Sequence, residues 1–223
     1  MTANDVYDSA YRGDFNIVKV RLDESGNALL TKPDNNGRLL LHWAAVGGHD
    51  ELVSHLLERG CPVDWSEDAG ATPLVLAAAA GRATVVRILV SKGAKVDHRN
   101  NMGHSALQYA CSKGWKEVAQ FLVDNDANVN VADLTGATPL HRAAAQGRVP
   151  LVQILLERQP TLLIDAKDNS GNTALHLACE EERDEVAVLL VHAGASLETL
   201  NKEKKSPLEM CPVRLAKILS NLS

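Results

Sequence analysis

The stretch GATPLHRAAAQGR at residues 136–148 returns as GNTALHLACEEER (171–183), GATPLVLAAAAGR (70–82), GHSALQYACSKGW (103–115) and GRLLLHWAAVGGH (37–49). Its leading glycines Gly37, Gly70, Gly103 and Gly136 stand 33 residues apart, Gly171 follows after 35, and Lys204 opens KKSPLEM another 33 on. A chain with this period is built from similar small units. None of them can bury its own apolar face, so they must stack on one another.

Each recurring residue type has a physical reason. Thr72, Ser105, Thr138, Thr173 and Ser206 can accept a bond from the first free amides of a helix. Pro73, Pro139 and Pro207 follow in the first turn, where no donor is lost. The small pairs Ala44/Ala45, Ala77/Ala78, Ala110/Cys111, Ala143/Ala144 and Ala178/Cys179 let neighbouring helices approach to about 8–10 Å. Gly13, Gly48, Gly81, Gly114 and Gly147 supply the left-handed residue that ends this first helix. Glu182 stands in the same slot, at an expected cost of about 1 kcal/mol. A second helix then returns with an apolar stripe, such as Leu52-Val53 with Leu56-Leu57, and segments such as CPVDWSEDAG run out as hairpin fingers.

The pattern predicts an all-α solenoid with short hairpin fingers, seven repeats in one domain over residues 1–223. It divides into an N-terminal cap (1–36), repeats at 37–69, 70–102, 103–135, 136–170 and 171–203, and a C-terminal cap (204–223) in which Pro212 interrupts the first helix. The fifth repeat is two residues longer, which predicts a loop extension over 158–165, away from the fingers. The period and the T-P-L-H-x-A signature resemble the ankyrin-repeat family, and the resemblance covers nearly the whole chain.

Composition narrows the function. Net charge is −5, of which Glu180, Glu181, Glu182, Arg183, Asp184 and Glu185 supply −5 + 1 = −4. No broad positive field exists for nucleic acid or anionic lipid, and the longest basic run, 202–205, is interrupted by Glu203. No apolar run approaches the roughly 18 residues needed to span a bilayer, and the first residues lack a signal-peptide pattern, so an intracellular protein is expected. Cys61, Cys111, Cys179 and Cys211 form no CxxC pair or zinc spacing, which fits reduced thiols.

The chemical readings of the polar residues are weak. His42, His141 and His176 share one frame position too many layers apart to hold one metal ion, and are expected to bond neighbouring loops. Cys111 and Cys179 fill the small-residue slot two layers apart, out of reach of a mutual disulfide. Glu180, Glu181 and Glu182 diverge from a helix end, whereas acid–base or calcium chemistry needs convergent carboxylates. No phosphate loop or nucleophile motif occurs, so no enzyme and no cofactor is expected. Leu177 to Glu181 matches the LxCxE pattern that retinoblastoma-type pocket proteins read in extended peptides; the repeat frame puts it in a helix, so its presentation would require that repeat to unfold.

What remains is a surface. The frame places Trp43, Leu76, Tyr109, Arg142 and Leu177, then Val46, Ala79, Ser112, Lys113, Gln146, Glu180 and Glu181, along a concave face, with Asp34, Arg38, Glu67, Asp68, Asp133 and Asp168 on the fingers. The row passes from aromatic through basic to acidic, a polarity that sets a partner's register and association rate. It predicts a folded partner with an Arg/Lys cluster.

Within the family, LHWAA, LHRAAAQG, GNTALHLACEEER with VLLVHAGAS, and NKEKKSPL look like the gankyrin-type chaperones of the proteasome. That resemblance implies a monomeric, cytoplasmic and nuclear protein that binds the C-terminal domain of a 19S ATPase subunit during base assembly. It carries the charged contacts onto Arg38, Asp68, Lys113 and Glu180 to Glu182, with Trp43 and Tyr109 as groove aromatics. Ala71 departs from the pattern, where animal members have tryptophan; Trp65 and Trp115 are the candidates to compensate. A cell-cycle kinase or signalling adaptor on the same fold is the alternative.

Overall fold

A computed structural model describes residues 3–158 and 161–222. The fold divides into two compact units, Met1–Ala106 and Leu107–Ser223. In the first unit the helices are α1 (Ala3–Arg12), α2 (Phe15–Ser25), α3 (Leu40–Gly47), α4 (Asp50–Glu58), α5 (Pro73–Ala79) and α6 (Ala83–Ser91), with a 3₁₀ turn at Gly26–Leu30. Inner helices α1, α3 and α5 pack in sequence, and α4 lies on α6 behind them. Leu22, Leu40, Leu41, Val53, Leu56, Leu74, Val85 and Leu89 are sealed between the two layers.

The second unit repeats the plan with α7 (Ala106–Lys113), α8 (Lys116–Asp124), α9 (Pro139–Ala145), α10 (Val149–Leu156), α11 (Ala174–Glu180), α12 (Asp184–His192), α13 (Pro207–Met210) and α14 (Val213–Ser220). Helices α9, α11 and α13 form its inner layer and α8, α10, α12 and α14 its outer one. Pro212 cuts α13 to four residues, as its position predicts. Among the described residues there is no regular strand; the single bridge pair is Arg99 with Ser105, and the architecture is all-α, stacked helix pairs joined by short fingers. Of the expected extension over 158–165, residues 159 and 160 lie outside the described residues.

Helix starts follow the sequence signals. The hydroxyls of Thr72, Thr138 and Thr173 accept from the amides of Val75, His141 and His176 at 3.4–3.5 Å. At Ser206 the cap is reciprocal, because Glu209 reaches back to the Ser206 amide at 2.7 Å.

Fingers are held by the same logic. Each turns through a pair of backbone bonds, such as Asp34 N–H to Arg38 carbonyl and Gly37 N–H to Asp34 carbonyl. Four of the fingers donate to the one before, as in Asp68 N–H to Asn36 carbonyl and Lys202 N–H to Ser170 carbonyl. A Cβ on Gly37, at φ +76°, would stand 2.9 Å from the Asp68 backbone nitrogen. The next finger therefore forbids a side chain there, whereas Lys204 at φ +61° is the non-glycine that occupies the slot in the last described finger.

Candidate functional site

Three histidines tie helices to fingers. His42 Nδ1 accepts from the Leu39 amide at 3.0 Å, and its Nε2 bonds the Trp65 carbonyl at 3.0 Å. His141 makes the equivalent pair with the Thr138 amide and the Asn172 carbonyl, and His176 with the Thr173 amide and the Lys205 carbonyl. An Nδ1 that accepts leaves Nε2–H as the donor, so each ring is neutral. Burial depresses all three, His42 to about 4, although the backbone carbonyls oppose this. In the fourth repeat Gln108 stands in the histidine slot and donates to the Ala137 carbonyl at 2.7 Å, a role that its residue type concealed in the sequence.

Beside these ties the inner helices leave one row partly open. In the first unit Trp43, Val46, Leu76 and Ala79 are half-buried, while their neighbours Ala44, Ala45, Ala77 and Ala78 are closed off. Trp43 is fixed on three sides. Its Nε1 donates to Asp34 Oδ2 at 2.9 Å, the Arg38 guanidinium lies 5.0 Å over its ring, and Tyr11 meets it edge-on at 6.0 Å. Asp34 Oδ1 also accepts the Asn36 and Arg38 amides. Glu67 is buried, takes the Ala71 amide at 3.2 Å and lies 3.8 Å from Arg38. Asp34 and Glu67 thus organise their fingers from within, whereas Asp68 is exposed to solvent.

Neither tryptophan takes over at Ala71 directly. Ala71 is buried beneath its finger, and Trp65 donates to the Gly37 carbonyl of the preceding one at 3.0 Å. Trp115 caps the start of α8, at the opposite end of α7 from the finger, so it is not a substitute at a finger.

In the second unit Tyr109, Ser112, Arg142 and Leu177 are half-buried, and Lys113, Gln146, Glu180, Glu181 and Glu182 are exposed. Arg142 is pinned by Asp133 through Nε at 3.0 Å and again through its terminal nitrogen. Burial alone would raise the Asp133 carboxyl, but hydrogen bonds from Thr135 and Arg142 hold it below the ordinary range. Asp168 Oδ1 accepts the Ser170 and Asn172 amides, both at 2.8 Å, matching Asp34 in its finger. The polar pairs 34/43 and 133/142 share a spacing of nine residues, the signal that could have revealed them.

The acidic run leaves the end of α11. Glu182 adopts φ +56°, the left-handed conformation expected of a glycine slot. Glu181 lies 3.8 Å from Arg183, and Asp184 pairs with Arg214. Glu180, Glu181 and Glu182 themselves are solvated, which suits contact with cationic side chains. Leu177 to Glu180 are helical and Cys179 is closed off, so the LxCxE stretch is not presented as an extended peptide.

Among the described residues no group of three or more His, Cys, Asp or Glu side chains is placed to hold a metal ion. No described helix is long and apolar enough to cross a membrane.

A family profile described as "Ankyrin repeats (3 copies)" matches residues 6–100, 94–164 and 134–201. The chain belongs to the ankyrin-repeat family. Folds of this family present protein-interaction surfaces, and this ankyrin-repeat protein superposes on the crystal structure of the human ASB11 ankyrin repeat domain with a TM-score of 0.86 and 29% identity, covering 98% of this chain and 97% of that one. The ankyrin repeat domain of Bcl-3 gives 0.84 and 25%, covering 97% of each. Over 64 residues, 29% of this chain, it is 44% identical to mouse and 42% identical to human "26S proteasome non-ATPase regulatory subunit 10". It is 33% identical over 75 residues to human "M-phase phosphoprotein 8". The match spans about a quarter of the proteasome relatives, 27% of the mouse protein and 28% of the human one.

Proposed function

We propose that this ankyrin-repeat protein is a scaffold or chaperone that engages the C-terminal domain of a 19S proteasome ATPase subunit during regulatory-particle assembly, in the cytoplasm and nucleus. One observation above others supports this: the solvated Glu180, Glu181 and Glu182 at the end of α11, in a chain partly similar to a proteasome regulatory subunit. Three solvated carboxylates select a partner surface rich in arginine or lysine. Asp34, Arg38, Trp43, Glu67, Asp68 and Leu76 on the first unit, and Tyr109, Lys113, Arg142 and Asp168 on the second, complete the contact set. Trp43 and Tyr109 are its apolar anchors, already fixed before binding or half-buried beside the open row. The free protein is a monomer and does no chemistry on its partner.

Co-purification with tagged ATPase subunits, using wild type and Arg38→Glu, tests this. Recovery of an ATPase subunit that declines in the variant supports the reading. Recovery of a cell-cycle kinase in its place would favour the adaptor alternative.

A further inference from the structure

Three steps in the chain place a proline directly after a hydroxyl residue: Thr72-Pro73, Thr138-Pro139 and Ser206-Pro207. All three open an inner helix, α5, α9 and α13, yet the fold treats them differently. Thr72 is 0% and Thr138 4% exposed, whereas Ser206 is only half-buried. The difference lies three residues further on. His141, three after Thr138, ties its ring to the finger of the following repeat, and His176 does the same after Thr173. At α13 this slot holds Glu209, which is exposed and turns back to accept the Ser206 amide at 2.7 Å. Ser206 has an extended backbone, φ −83° and ψ 164°, and the four residues before it, Lys202, Glu203, Lys204 and Lys205, are all exposed. One of three chemically similar steps is therefore within reach of an enzyme.

We propose that Ser206 is a phosphorylation site for a serine/threonine kinase that selects proline after the acceptor and basic residues before it, and that its phosphate opens the cap that Glu209 closes. The Ser206 Oγ attacks the γ-phosphorus of ATP, the bond from that phosphorus to the ADP oxygen breaks, and the hydroxyl proton passes to a carboxylate of the kinase. The phosphoserine carries about −1.5 to −2 charges near neutral pH, where the hydroxyl carried none.

Two opposing effects then meet. Lys202, Lys204 and Lys205 attract the phosphate, but they are exposed and screened, and Lys205 is already paired with Glu203 at 2.8 Å. Glu209 is bonded to the backbone of the modified residue itself. The Ser206 amide also holds the Glu209 carboxyl below its ordinary range, so it is charged when the phosphate arrives. Repulsion at this shorter range wins, and Glu209 leaves the amide. Because α13 has only four residues, the lost cap loosens its packing on α11 and α14. This inference stands apart from the partner proposed above, since it concerns the C-terminal cap alone.

The full chain is incubated with ATP and a proline-directed serine/threonine kinase, then read by intact mass, peptide mass spectrometry and thermal melting. Phosphate is expected on the peptide holding Ser206, with Thr72 and Thr138 unmodified, and the phosphorylated protein should melt about 2–4 °C lower. Ser206→Ala keeps the amide that Glu209 accepts, so it should melt as a folded protein and take up no phosphate there. In Glu209→Gln, whose amide oxygen preserves the cap without the charge, phosphorylation should leave the melting temperature nearly unchanged. Absence of phosphate at Ser206, or equal modification of Thr72 or Thr138 in the folded chain, would overturn the site. A melting temperature that phosphorylation leaves unchanged or raises, or an equal fall in Glu209→Gln, would overturn the opening of the cap.

Discussion

Arg183 lies over Gly147: its Nε donates to the Ala145 carbonyl at 3.2 Å, and a Cβ on Gly147 would stand 2.8 Å from its Cδ. Arg82 covers Gly48 and Arg148 covers Gly114 in the same way. Pro212, not an arginine, holds the N-cap position in α14 that Arg82, Arg148 and Arg183 hold in α6, α10 and α12. No arginine therefore holds that position in the layer after Glu182, and the left-handed backbone at φ +56° is the cost of the glutamate.

Gly147→Ala should destabilise the protein by about 2 kcal/mol, because it adds a clash with Arg183 to a positive φ. Glu182→Gly should stabilise it by about 1 kcal/mol. Urea denaturation of both variants checks the two signs; equal effects would show that the layer above does not matter.

Stability should fall as the solution is acidified from about pH 6.5 toward 4. Burial depresses His42, His141 and His176 in the folded state, so the unfolded chain binds protons first and the histidine contribution, complete above the ordinary histidine range, is lost through the folded value of about 4 for His42. Thermal melts across this range should flatten for a His42→Gln/His141→Gln/His176→Gln variant, whose amides can copy the bond that Gln108 makes.

Removing the Asp133 carboxylate should cost about 2–3 kcal/mol, since it holds the Thr135 and Ala137 amides and Arg142 at once. Arg142→Ala should cost less, because the finger keeps its internal bonds. Denaturation midpoints of Asp133→Ala and Arg142→Ala give the order.

Thr138→Ala should lose about 1 kcal/mol, as the hydroxyl caps the His141 amide and also bonds His141 Nδ1 at 2.8 Å. Thr138→Ser should restore most of it in the same denaturation assay.

The helix starts, the finger turns and even the left-handed Glu182 were legible because each is dictated by local chemistry repeated at one frame position. The histidine ties were legible for the same reason, but Gln108, which does their work in the fourth repeat, hid behind a different residue type. Asp34 and Asp133 read as finger-tip charges, while the structure turns them inward to Trp43 and Arg142, a pairing that needs the folded finger to appear.

If the acidic end of the second unit, with the first unit's finger residues, holds a basic face of a proteasomal ATPase subunit, then reversing its charge must weaken that contact. The decisive measurement is titration calorimetry of the full chain against the isolated C-terminal domains of the 19S ATPase subunits, comparing wild type with Glu181→Lys/Glu182→Lys. Saturable one-to-one binding to one of these domains is expected, weakened by added salt and by about tenfold or more in the double variant. Unchanged affinity after charge reversal, or no binding to any of the domains, would refute the proposed contact.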